Sequence, residues 1–405
     1  MTGVGPVNVD DVLAARKLLD GVVRLTPLEN SRVLGARVGG PTYLKCENLQ
    51  RTGSFKIRGA YTRIARMSAG QRAEGVVAAS AGNHAQGVAL AAQLLGSSAT
   101  VFMPVTAPLP KIAATQAYGA EVRLTGSTVD EALVVARAWE AETGAVLVHP
   151  FDHADVIAGQ GTVGLELLDQ CPDVRTVLVC TGGGGLVAGI GVVVKALRPD
   201  ARVVAVQAEA AAAYPPSLIA GRPVPLEQMA TMADGIAVGC PGEVTFEIFK
   251  DVVDEVVTVS EDAMSRALLL CLERAKMVVE PAGVAAVAAV LEDPVRFEPP
   301  VVAVLSGGNV DPVLLLRVIQ HGMVAAGRYL SLRVRISDRP GELAALLALL
   351  AEQGGNVLDV EHSRTTSRLH LGEVEVALSV ETRGQKHRAE LLAALRAAGH
   401  TPSLS

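Results

Sequence analysis

Aromatic residues make up only 3% of this 405-residue chain, although 50% of its residues are hydrophobic. A core of that size must be filled by Ala, Val and Leu, a composition common where parallel strands are covered by helices on both faces. Long apolar runs are lacking too. The best candidates, 186–194 and 282–291, are bounded by Lys195 and Glu292 and fall short of the ~18 residues a membrane span needs, so they read as core and no membrane partner is expected. Dense Lys/Arg stripes are absent, and the formal charge is −6 with a pI near 5.8. That balance argues against a nucleic-acid partner and for a small-molecule substrate. The five cysteines (Cys46, Cys171, Cys180, Cys240, Cys271) form no Cys-x-x-Cys pair, and no His stands at metal-ligand spacing. They read as reduced thiols, with no metal site implied. The N-terminal segment has no basic region followed by an apolar stretch and a small-residue cleavage site, so a cytoplasmic protein is expected.

A chain this long exceeds one ordinary compact domain. Between residues 41 and 310, short Val-rich runs at 42–46, 75–79, 100–103, 121–124, 146–149, 174–180, 202–207 and 301–305 alternate with Ala/Leu-rich helical segments. This is the pattern of a doubly wound α/β fold. After Asp311 the sequence reads helix 312–326, strand 329–336, helix 341–353, strands 356–363 and 369–380, helix 384–398 and a short last strand, a ferredoxin-like order. Two domains follow, 1–326 and 329–405.

Four segments, almost all at the carboxyl ends of expected strands, carry chemistry; in an open parallel sheet ligands bind at that edge. In Gly53-Ser54-Phe55-Lys56-Ile57-Arg58-Gly59-Ala60, Lys56 sits where an extended run gives way to a helix. A free lysine amine, with a pKa near 10.4, is too protonated at neutral pH to attack a carbonyl or accept a proton well. With Ser54 as N-cap, Lys56 falls in the first helical turn, where the helix dipole disfavours the ammonium form. Taken alone, Lys56 reads first as a surface lysine on an amphipathic helix, a reading that the flanking motifs reverse. The turn Thr181-Gly182-Gly183-Gly184-Gly185-Leu186 follows an apolar run and can turn its N–H groups on a phosphate. Gly183-x-Gly185-x-x-Ala188 also satisfies a dinucleotide fingerprint, with Glu209 near the place of a ribose-binding acid, so an NAD-dependent dehydrogenase stays open. Against it, the turn lies deep in the chain and such an enzyme has no use for Lys56. A P-loop is excluded, because no Gly-Lys-Ser/Thr follows. The remaining segments are Ser80-Ala81-Gly82-Asn83-His84-Ala85-Gln86-Gly87 and Ser306-Gly307-Gly308-Asn309, where Asn83 and Ser306 read also as cap and turn residues.

With these motifs together, the chain resembles the fold type II, tryptophan-synthase-β-like pyridoxal-phosphate enzymes over residues 1 to about 325, most closely the threonine dehydratases. Residues 329–405 resemble an ACT regulatory domain. The resemblance implies two doubly wound parallel-sheet subdomains and pyridoxal 5'-phosphate held on Lys56 beside Phe55. Asn83 would bond the cofactor's phenolic oxygen, Gly182, Gly183, Gly184 and Gly185 its phosphate, and Ser306 would face its ring nitrogen. A neutral hydroxyl there does not favour ring protonation as a carboxylate would, which suits elimination better than transamination. The substrate carboxylate would lie against Ser80, Ala81, Gly82 and His84 while Lys56 removes the Cα proton. The implied reaction turns L-threonine, and also L-serine, into a 2-oxo acid and ammonia, as in isoleucine biosynthesis. The similar serine racemases carry a second serine where this chain has Ala81, which has no proton to give. Their cation site near the matching Glu209 lacks its second carboxylate here, since residues 210–213 are alanines. Glu280 lies in a segment lining the cleft, and reads equally as a buried structural carboxylate.

In the tail, Asp338-Arg339-Pro340-Gly341 opens a helix and Gly354-Gly355-Asn356 precedes a strand. This combination resembles the amino-acid pocket of paired ACT domains and implies a homodimer or homotetramer, with Asp338, Gly341 and Asn356 near an amino-acid or nucleotide effector. A single copy, where biosynthetic long forms carry two, sets isoleucine inhibition apart from that expectation. A serine-preferring dehydratase and a non-catalytic amino-acid sensor remain alternatives.

Overall fold

The computed structural model describes residues 6–364 and 369–404. It divides into two compact units, which part between Leu315 and Leu316. In chain order, β1 (Leu28–Asn30) and β2 (Thr42–Cys46) begin the larger sheet of the first unit. The chain then leaves for a smaller sheet of β3 (Val76–Ala79), β4 (Ala99–Met103), β5 (Glu121–Leu124) and β6 (Val146–Leu147). It returns for β7 (Thr176–Cys180), β8 (Arg202–Ala208), β9 (Glu255–Val259) and β10 (Val301–Leu305). The larger sheet has the order β1-β2-β10-β7-β8-β9 and the smaller β5-β4-β3-β6. All pairings are parallel except β1 with β2.

These strands explain the poverty in aromatics. β7 and β10 are buried at every position, so both of their faces need small branched side chains that pack under helices. The larger core gathers Val177, Val179, Val187, Val203 and Val302 around the helices Ala154–Gln170 and Gly185–Leu197. Close helix approach requires glycine there: a Cβ on Gly159 would lie 2.5 Å from the Arg58 carbonyl oxygen. The smaller sheet has its own core around Val76, Val88 and Val101.

The second unit carries β11 (Tyr329–Ser337), β12 (Asn356–Ser363), β13 (Glu373–Glu381) and β14 (Ser403–Leu404) in the antiparallel order β12-β13-β11-β14, with the helices Glu342–Glu352 and Gln385–Ala397. Its burial alternates strictly along β13, giving one face to the core of Leu332, Val334, Leu346, Val376 and Leu391. The β-α-β-β-α-β order is therefore present. The strand expected from residue 369 begins at Glu373, after a turn in which Gly372 takes a φ of +88°.

The runs above omit two strands, β1 and β9. Ser54 does not cap a helix. It is extended, forms a bridge to Gly307, and the helix Lys56–Ala65 starts after Phe55 without a side-chain cap. Lys56 is thus the first residue of that helix. Among the described residues, no helix is long and apolar enough to cross a membrane.

Candidate active site

A cavity of about 790 Å³ opens between the carboxyl ends of the two sheets of the first unit. Its walls include Phe55, Lys56, Ser80, Ala81, Gly82, Asn83, His84, Gly182, Gly183, Gly184, Gly185 and Ser306, so every residue expected to hold the cofactor or the substrate meets here. Each reaches the cavity for a local reason. Lys56 opens its helix, the 80–84 turn follows β3, the glycine turn follows β7, and Ser306 follows β10.

The Lys56 amine donates to the Pro150 carbonyl at 2.8 Å and stands 5.1 Å from the centre of the Phe55 ring. Burial pulls its pKa down from 10.5 to about 8, against the opposing pull of Cys180 and Glu280. The cause is burial more than the helix dipole invoked from sequence. An amine so placed is available as a neutral nucleophile and base near neutral pH.

Asn83 is held at both ends of its amide: its Nδ2 donates to Glu280 Oε1 at 2.7 Å, and its Oδ1 accepts from Asn309 Nδ2 at 2.8 Å. Glu280, buried in the wall, is pushed up to about 7, chiefly by burial and then by Asp234. Ser306 Oγ accepts from the Cys180 thiol at 3.1 Å, and burial keeps that thiol neutral with a pKa near 11. Neither group brings charge to the floor of the cavity around Ser306. His84 donates through Nε2 to the Val148 carbonyl at 2.7 Å, and burial with the nearby Lys56 lowers its pKa to about 3. With a backbone carbonyl as its partner, that nitrogen carries the proton of a neutral ring.

The glycine turn is built to keep side chains out. Gly184 has a φ of +95°, a Cβ on it would overlap the Tyr214 hydroxyl, and a Cβ on Gly183 would strike the Phe151 ring at 2.5 Å. The turn is held from behind, where the Gly183 carbonyl accepts from Tyr214 at 3.2 Å and from Thr245 at 2.8 Å. No side chain caps the helix Gly185–Leu197 that follows, so its leading N–H groups are free for an anion. The 80–84 turn likewise precedes a helix, Asn83–Leu94, that has no side-chain cap. One cavity therefore has two anion-seeking helix starts and a lysine whose pKa burial lowers to about 8. The Ser54 hydroxyl is buried nearby without a hydrogen-bond partner. A phosphorylated carbonyl cofactor and an amino-acid carboxylate fit this set.

Sequence reasoning missed Lys111 and Asp234, and gave no site role to Cys180 or Asn309. Lys111 donates to Asp234 at 2.6 Å on the cavity wall. Behind the wall, Arg58 is fully buried, bonded to Glu47 at 2.8 Å and to Glu166 at 2.7 Å, while Lys45 bonds Glu166 at 2.6 Å. This network pins the helix that Lys56 begins. No group of His, Cys, Asp and Glu among the described residues could hold a metal ion.

In the second unit, Asp338 pairs with Arg364 at 3.1 Å and Gly341, with a φ of +92°, precedes the helix Glu342–Glu352. Asn356 bonds Glu381 at 3.2 Å. β13 runs between them: Asp338 lies beside its Glu373 end and Asn356 beside its Glu381 end, roughly 25 Å apart at the usual strand rise. Within one chain these two do not meet.

The chain belongs to the pyridoxal-phosphate dependent enzymes, whose family pattern matches residues 19–307, and an ACT domain matches residues 330–400. Pyridoxal phosphate is its cofactor. Over 394 residues the chain is 47% identical to an L-threonine ammonia-lyase of Thermotoga maritima, covering 97% of this chain and 98% of that one. A solved threonine deaminase from Solanum lycopersicum, isoform 2 in its processed form, is 37% identical, with a TM-score of 0.74 over 77% of this chain and 92% of its own. Maize serine racemase is 36% identical, with a TM-score of 0.74 over 77% and 96%.

Proposed function

We propose that this protein deaminates L-threonine to 2-oxobutanoate and ammonia, acts on L-serine by the same chemistry, and is regulated through its ACT domain. The observation that carries the reading is Lys56, an amine with a pKa near 8 that faces two uncapped helix starts in one cavity. When bound, pyridoxal phosphate supplies the electron sink that makes the Cα proton of an amino acid removable. Lys56 would hold it, Gly182 to Gly185 would bind its phosphate, and Asn83, fixed by Glu280 and Asn309, would face its phenolic oxygen.

Lys56 then accepts the Cα proton, its neutral state favoured by burial. The N–H groups of the 80–84 turn take the substrate carboxylate. Loss of the β-hydroxyl leaves an enamine, and its hydrolysis gives the 2-oxo acid and ammonia. Ser306, kept company by a neutral thiol, offers the ring nitrogen no negative charge, which supports elimination. Ala81 offers no proton from the far side, which supports elimination over racemisation although a serine racemase is among the similar structures.

The 47% identity to an L-threonine ammonia-lyase over nearly the whole chain supports threonine over serine, a choice that rests on space around one methyl group, about 1 to 3 kcal/mol. The ACT unit supports an amino-acid effector and pairing of chains in a homo-oligomer, and similarity to bacterial enzymes supports a cytoplasmic setting. The test is release of 2-oxo acid from threonine and from serine by the holoenzyme, with and without isoleucine, valine or AMP. A higher kcat/KM on threonine, abolished in Lys56→Ala, is expected; no release from either substrate would overturn the reading.

A further inference from the structure

The helix Leu109–Ala117, on the side of the smaller sheet, has an inverted surface. Leu109 is 79% exposed, whereas the Lys111 side chain is only 10% exposed and points into the cavity wall. A long, charged side chain is seldom buried without a task for its charge. Its partner Asp234 belongs to the larger-sheet side and is 54% exposed, so the aspartate reaches in from solvent to the lysine. The Lys111 ammonium also borders the 80–84 turn: a Cβ built on Gly82 would lie 3.7 Å from Nζ. That turn starts the uncapped helix Asn83–Leu94. An ammonium and the leading N–H groups of that helix, which no side chain caps, thus border one part of the cavity that Lys56 also lines.

We propose that Lys111 is a substrate-binding residue whose ammonium, tethered by Asp234, receives the α-carboxylate of the amino acid beside the 80–84 turn. This rests on the amino-acid reading of the cavity given above. An ammonium has three protons, enough to serve Asp234 and a second carboxylate together. Without Lys111 the site would lose an attraction and gain a repulsion, because Asp234 would face the substrate's negative charge unpaired.

Binding of L-2-aminobutanoate, which has no hydroxyl to lose, and of its amide, which keeps the α-amino group but has no carboxylate, is measured by calorimetry on the holoenzyme. Lys111→Met is expected to weaken the acid about tenfold to a hundredfold, the range for a charged hydrogen bond, and to leave the amide within about twofold. Lys111→Arg restores most of the loss, and Lys111→Met/Asp234→Asn recovers part of it by removing the repulsion. On threonine the Lys111→Met effect falls on KM more than on kcat. Equal weakening of acid and amide, or unchanged acid binding, overturns the proposal. So does a wild type that binds neither analogue. If the wild type binds the acid through Lys111 but releases no 2-oxo acid from threonine, the proposed reaction fails and the role of Lys111 stands.

Discussion

Replacing Lys56 by methionine should make the cofactor-free protein more stable at pH 7, although it abolishes activity. The amine's pKa falls from 10.5 when unfolded to about 8 when folded, so between those values the unfolded chain holds a proton that the folded chain has lost. Folding therefore carries a penalty that is fully present below pH 8 and fades as pH rises towards 10.5. A difference of that size corresponds to about 3 kcal/mol. Lys56 keeps some contact with the cavity, and water there reduces the penalty to about 2 kcal/mol. Methionine matches the lysine stem, but it also abandons the Pro150 carbonyl, a loss of about 1 kcal/mol. The net gain is about 1 kcal/mol at pH 7, vanishing or reversing by pH 10. Urea unfolding midpoints of the two cofactor-free proteins at both pH values measure it. A variant less stable at pH 7, or a difference that does not change with pH, would refute the claim that burial depresses this amine.

Gly184→Ala should lower stability by about 3 kcal/mol, combining a left-handed backbone with overlap at Tyr214, and should loosen the cofactor. The melting temperature and the visible absorbance retained after dialysis would show both effects; an unaltered protein would mean the turn can shift. Arg58→Met leaves Glu47 charged and buried, and should cost about 3 to 5 kcal/mol, with partial recovery in Arg58→Met/Glu47→Gln. Denaturant unfolding is the measurement, and a loss under about 1 kcal/mol would show that the network does not pin the helix.

The alternation of Val-rich runs with helices was enough to find the doubly wound unit, and strict two-residue periodicity found the tail, because both signals are local. Partition of the strands into two sheets is not local: β2 pairs with β10, and nothing within 42–46 names that partner. β1 has three residues after Pro27, too few for a period, whereas the Val-Val-Thr-Val of β9 was a readable signal passed over. Ser54 misled because its neighbourhood looks like a helix start, while a bridge to Gly307 holds it extended. Lysine, glycines and asparagine of the site were visible as motifs in the chain. Lys111 and Asp234 carry no such motif, and only the closure of one sheet's edge over the other makes them neighbours.

The pairing of β2 with β10 also sets the timetable of the newborn chain. Thr42–Cys46 leaves the ribosome early, but the strand that must lie against it follows roughly 260 residues later, on the order of tens of seconds at ordinary rates of synthesis. In that interval the smaller sheet, complete by Leu147, can fold by itself, while β2 waits with one edge unsatisfied. A ribosome stalled before residue 301 would hold a finished small subdomain beside a sticky, half-built large one. Such truncated chains are where a chaperone would be needed most.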